Sequence, residues 1–200
     1  MRICGISAAS FAAIAALSSA APASAQALTR EQQIAAAVLA APEDTRAAAT
    51  VLGFDATGRF VTLRTGTNDM VCHTDDPKTE GFEVSCFHRS ILPYLSRGRE
   101  LRADGLAADA VRNTRFKEMD EKKIGLPDAG ATQYILTGAW DAASGRLQNQ
   151  FLRWVIYTPY ATPQSTGLST RGGESVPWLM GGGTAGAHIM IVPPRRPAGG

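Results

Sequence analysis

Cysteine and histidine are both scarce in this sequence, three of each in 200 residues. The scarcity is no obstacle to folding, because a chain of this length buries a sufficient core without metal or several disulfides as staples. An excess of charge of one sign is also missing. The formal net charge is +2, closer still to neutral without Arg2, which argues against nucleic acid as a partner. Beyond the N-terminus no apolar run approaches the roughly 20 residues that a membrane-spanning helix needs. The common catalytic signatures are absent too: no Gly-x-Ser-x-Gly, no His-Glu-x-x-His, no P-loop. A scattered Ser, His and Asp triad is not legible from chain order. The run Gly181-Gly182-Gly183-Thr184-Ala185-Gly186 fits G-x-G-x-x-G by letter. That motif works only between a strand and a helix, where the helix N-terminus meets a pyrophosphate. Here Pro177 and Trp178 come before it and the strand-like AHIMIV after it, so a tight or flexible glycine loop is expected instead.

What is present begins with an export signal. Arg2, the apolar run Ile3 to Leu17 and the small-x-small triplet Ala23-Ser24-Ala25 predict a signal peptide over 1–25. Cys4 leaves with it. The mature chain is expected to be one α+β domain over 26–192, opening with a leading helical segment over 26–45, followed by a disordered tail over 193–200. The expected location is the periplasm or the cell exterior, with no membrane insertion after the signal is removed.

Thr29-Arg30-Glu31-Gln32 has the form of a capping box, predicting a helix to about Ala41, before Pro42. Strand-like runs at 49–54 and 59–64 flank a turn and predict a hairpin; 70–74 and 82–88 predict a second. A helix is expected after Ser90, with Ile91, Tyr94, Leu95, Gly98 and Leu101 on one face and the charged residues largely off it. A more polar helical stretch follows over 106–123. Its run Lys117 to Lys123 mixes both signs and reads as a solvated face. Strands are expected at 134–140, 150–157 and 187–192. Hairpins adjacent in sequence and segregated helices predict an α+β fold with a mainly antiparallel sheet and helices packed on one side.

The window CHTDDPKTEGFEVSCFH, residues 72–88, holds both remaining cysteines and two histidines. Side chains alternate along a strand. Cys86, His88, Phe82 and Val84 therefore share a face, and Cys72 meets it if it lies across from Cys86, while His73 points the other way. A tetrahedral zinc site would need all four residues to converge, and an even cysteine count in an exported chain favours a disulfide. The window predicts Cys72–Cys86. His73, His88 and His188 could build an open metal site only if the last strand runs beside the second hairpin. Asp75, Asp76 and Glu80 lack the spacing of a calcium loop and read as a solvated hairpin tip.

The stretch 158–186 is long and rich in Gly, Pro, Ser and Thr, and such segments in compact domains are often functional. Tyr157, Tyr160 and Trp178, with Trp154 upstream, suit a surface for a small molecule, glycan or peptide. They equally suit aromatics that pin the segment to the sheet, and both readings stay open.

The stretches APEDTRAAATVLGF, CHTDDP to CFH, RGRELRADG and PWLM to AHIMI resemble a group of short exported bacterial proteins with no assigned function. The resemblance covers most of the mature chain. It implies an exported single domain and nothing about activity. Two expectations follow: a non-catalytic binding domain working through 158–186, or a metal-binding protein or metal-dependent enzyme using the three histidines. No cofactor is expected on the first reading; a metal ion is the one left open.

Overall fold

A computed structural model describes Met1, residues 28–141 and residues 143–195. The expected signal peptide lies outside the described residues apart from Met1, as do the last five residues of the expected tail. The chain runs α1 (Arg30–Ala37), β1 (Thr50–Phe54), β2 (Phe60–Arg64), β3 (Met70–His73), β4 (Phe82–His88), α2 (Leu92–Ala103), α3 (Ala108–Asp120), β5 (Thr132–Asp141), β6 (Arg146–Tyr157), α4 (Pro163–Thr166), β7 (Trp178–Met180) and β8 (His188–Ile191).

The eight strands among the described residues form one sheet in the order β2-β1-β3-β4-β5-β6-β8-β7. Every pairing is antiparallel except β1 with β3. The mainly antiparallel α+β fold is thus what the alternating strand patterns predict. The two expected hairpins are present, and they lie side by side through the parallel β1–β3 pair. At the other end β8 enters between β6 and β7. The hairpin of β5 and β6 is longer than expected because both strands run on to the turn after Asp141. Opposite Gly138 the register slips, and Asn149 adopts φ 51° there, a β-bulge.

Cys72 and Cys86 face each other in register, with Cα atoms 4.0 Å apart and a formed disulfide. Both sulfurs lie in a core with Val51, Leu63, Val84 and Leu136. The cover on this face is α1 and the 3-10 turn after it. Thr29 caps α1 with the reciprocal bonds to Gln32 that the sequence predicts. The α-helix gives way to a 3-10 turn over Val38–Ala40, earlier than expected. Ala37, Ala40 and Ala41 are buried; their small side chains let the helix backbone lie close to the strands.

The helices are divided between both faces rather than gathered on one. On the face opposite the disulfide, Ile91, Tyr94 and Leu95 around α2 and Phe116 and Met119 of α3 meet Val71, Phe87, Val155 and Tyr157 of the sheet. The alternation of β3 and β4 explains the division: each strand carries apolar residues on both sides, so both faces need a cover. Arg97 of α2 clasps α3 by donating to both carboxylate oxygens of Glu118, each at 2.8 Å. Glu118 therefore belongs to a helix–helix contact, while the neighbouring Lys117, Glu121 and Lys123 pair at the surface as expected.

Candidate functional site

The segment between β6 and β8, expected to be irregular, is a built structure. Thr162 caps α4 with a capping box, and Leu179 N donates to Ser169 O at 2.8 Å. The two ends of the segment are stitched together. Thr158 N donates to Ala187 O, Tyr160 N to Thr184 O and Gly183 N to Ala161 O, at 2.7–2.9 Å. The glycine run folds into a tight turn in which the amide and hydroxyl of Thr184 both donate to Gly181 O. It leads into strand β8, not a helix, so the geometry of a dinucleotide loop is not met.

Helix α3 is fastened to this turn along one face. Phe116 lies against Gly186 so closely that a Cβ there would come within 1.9 Å of its ring. Four residues on, the same face presents Asp120, which accepts from the Tyr160 hydroxyl at 2.9 Å. Tyr160 holds φ 63°, a left-handed conformation rare for a bulky residue. Its amide bond and its hydroxyl bond together fix it there.

Behind this seam lies a row of aromatic and basic groups. The Arg115 guanidinium stacks on the Tyr94 ring, with Cζ 3.8 Å from the centroid, and Nη1 donates to Tyr94 O at 3.3 Å. Gly98 makes the room: a Cβ at that position would meet Arg115 Nη1 at 2.7 Å. The Tyr94 ring meets Tyr157 edge-on at 5.8 Å, and Tyr157 meets His188 at 5.6 Å. The Tyr157 hydroxyl donates to Gln133 Oε1, and burial pushes its pKa far up. His188 Nδ1 donates to Gly186 O at 2.8 Å. Burial lowers its pKa, the bond to Gly186 opposes that, and the Arg115 charge adds to the lowering. Burial likewise lowers the pKa of Arg115. Its Nε is buried and has no hydrogen-bond partner among the described residues.

The aromatic candidates read from sequence part company here. Tyr157 is a core residue, 3% exposed. Trp178 is half-buried, packed on Gly172, with a buried and unpartnered indole nitrogen; it pins the segment to the sheet. Tyr160 is exposed, and with Val176 and Met180 it makes three of the four exposed large apolar side chains described after Met1. Trp154 is elsewhere. It stands in register with Tyr134 and Ile191 and lines a cavity of about 450 Å³ with Leu152, Pro193 and Arg195. Pro193–Arg195, expected as tail, thus lie against β6, where Arg195 covers the Phe151 ring.

The three histidines do not come together. His73 on β3 and His188 on β8 are four strands apart, about 19 Å at roughly 4.8 Å per strand. His88 caps the 3-10 turn after β4, bonded to Ser90. His73 is 6% exposed and stands at right angles to Phe60 and Phe87. Its Nδ1 accepts from Arg99 Nη2 at 3.1 Å, so its proton sits on Nε2. Burial, and secondly the Arg99 charge, hold its pKa at about 3. Asp75 accepts from the Glu83 amide and Asp76 from the Lys78 amide, both inside the hairpin tip. No group of three or more His, Cys, Asp or Glu side chains among the described residues could hold a metal ion.

Arg115, Tyr94 and Phe116 have no motif to announce them. The one sequence signal is Gly98 on the apolar face of an otherwise helix-favouring stretch, which marks a close approach. No protein-family model, no curated protein and no solved structure matches this chain.

Proposed function

We propose that the protein is an exported, non-catalytic binding domain whose binding surface is the seam between α3 and the segment 158–186. One observation carries this reading: Tyr160, Val176 and Met180 are exposed on a segment whose backbone is tied at both ends. A rigid surface loses little entropy when it takes up a ligand, and an exposed aromatic beside a charged partner suits a small molecule, glycan or peptide. Export is supported by the N-terminal signal pattern and by the disulfide, which persists in oxidising compartments. Among the described residues no helix is long and apolar enough to cross a membrane.

The test is a thermal-shift and ligand-observed NMR screen of glycans, peptides and small metabolites against the mature chain, repeated on Tyr160→Ala and Met180→Ser. Hits are expected to lose about tenfold in affinity, roughly 1.4 kcal/mol, in each variant. Hits that bind both variants as they bind the parent would remove the seam from consideration.

A further inference from the structure

We infer that the seam recognises an oxyanion, the carboxylate or phosphate of a small ligand, through the Arg115 guanidinium with Arg102 beside it. The inference rests on the seam being the binding surface and names the chemistry that would fill it.

Arg115 is a half-buried guanidinium that no carboxylate among the described residues acts on. The titratable and charged groups coupled to it among the described residues are Tyr94, Tyr157, Arg102 and His188; no carboxylate is among them. The other well-placed arginines differ. Arg97 has Glu118 and Glu100, Arg112 has Asp109, and Arg99 has Asp76 and the His73 nitrogen. Arg115 is held without such help, by the Tyr94 ring, the Tyr94 carbonyl and the notch at Gly98. Its neighbour Arg102 adds positive field rather than cancelling it, acting on both Arg115 and Tyr94. A guanidinium taken partly out of water is costly unless something of opposite charge meets it. Its planar fork matches a carboxylate or phosphate in two bonds at once. Aromatic stacking fixes the fork before the ligand arrives, which is how a preorganised anion site is made.

The experiment compares melting of the mature chain in phosphate, in succinate and in chloride at equal ionic strength. A rise of about 3 °C or more in 10 mM phosphate or succinate over chloride is expected, from preferential binding to the folded state. Phosphate alone, or succinate alone, giving the rise identifies which oxyanion fits. Arg115→Met is expected to abolish the rise and Arg102→Ala to halve it or more, while Arg59→Ala, on the far hairpin, leaves it intact. Should Arg115→Met fold poorly, Gly98→Ala replaces it. There the new methyl meets Arg115 Nη1 at 2.7 Å and crowds Cζ and Cδ at 3.1 and 3.3 Å, so the guanidinium must shift on the Tyr94 ring, while alanine favours the helix. That variant is expected to keep its fold in chloride and to gain less from the oxyanion. No rise over chloride in the parent, or an undiminished rise in Gly98→Ala and Arg102→Ala, overturns the inference. Binding hits that depend on Tyr160 in a chain with no oxyanion rise would leave the seam standing and remove only the anion. An oxyanion rise with Tyr160-independent hits would do the reverse.

Discussion

The two faces of the sheet are built on different plans. The disulfide face is closed by alanines, aliphatics and one buried disulfide, and the Thr74 hydroxyl and the Trp140 indole nitrogen are unpartnered buried polar atoms on it. The opposite face is closed by two helices carrying several arginines and one tyrosine, Tyr94. The buried imidazole and guanidinium nitrogens without a partner, His73 Nε2 and Nε of Arg99, Arg115 and Arg153, all belong to it. An unpartnered polar atom in a core costs stability, so a face that keeps several is the one on which to look for function. One face holds the chain together; the other keeps chemistry within reach.

Acid should separate the faces most strongly. His73 sits at about pKa 3 when folded, against about 6.5 unfolded. The folded state therefore binds fewer protons, and stability falls as pH drops from about 6.5 towards 3. The slope is at most about 1.4 kcal/mol per pH unit, or about 4 kcal/mol by pH 3.5. The lowered pKa of His188 acts in the same direction. Urea titrations across this range are expected to show the loss, and His73→Gln, which keeps an acceptor for Arg99, should flatten it. Hydrogen exchange at pH 4 should rise first in α2 and β3, while α1 stays protected. Equal loosening of both faces would break the comparison.

Removing the disulfide tests the other face. It closes a loop of sequence separation 14, worth about 3 kcal/mol by chain entropy. Cys72→Ala with Cys86→Ala should lower the urea midpoint accordingly and leave oxyanion and ligand binding unchanged once the chain is folded. Next in size is Gly186→Ala. Its methyl collides with the Phe116 ring, and such overpacking costs about 1–3 kcal/mol. Unlike the disulfide variant it should also weaken binding at the seam. The smallest effect on stability is expected from Tyr160→Ala, within about 1 kcal/mol, because the hydroxyl bond to Asp120 is exposed. Circular dichroism melts of the three variants rank them directly.

The disulfide and both hairpins could be read from sequence because each rests on alternation over a few residues. Cys72 and Cys86 fall opposite one another once the strands are in register. The parallel β1–β3 pair and the insertion of β8 between β6 and β7 depend on contacts far apart along the chain, which no local pattern encodes. The two-sided packing of helices was hidden for another reason: the inward face of α1 is mostly alanine, a residue that says little about burial. Of the candidate site, Tyr160 was legible and Trp178 half so. Arg115 was not, because a charged residue on a polar helix reads as solvated, and only the glycine one helix away makes room for it.

The position of β8 also bears on how the molecule is made. The last strand among the described residues is an interior strand of the sheet, with β7 waiting outside it. Until residues 188–191 have left the ribosome, β6 lacks its neighbour, β7 has nothing to pair with, and His188 is not there to complete the row of rings. Closing such a sheet means joining partners widely separated along the chain, which is slow. A chain that has not yet reached residue 191 therefore leaves this end of the sheet open, and a fragment ending before His188 should be a ready substrate for proteases.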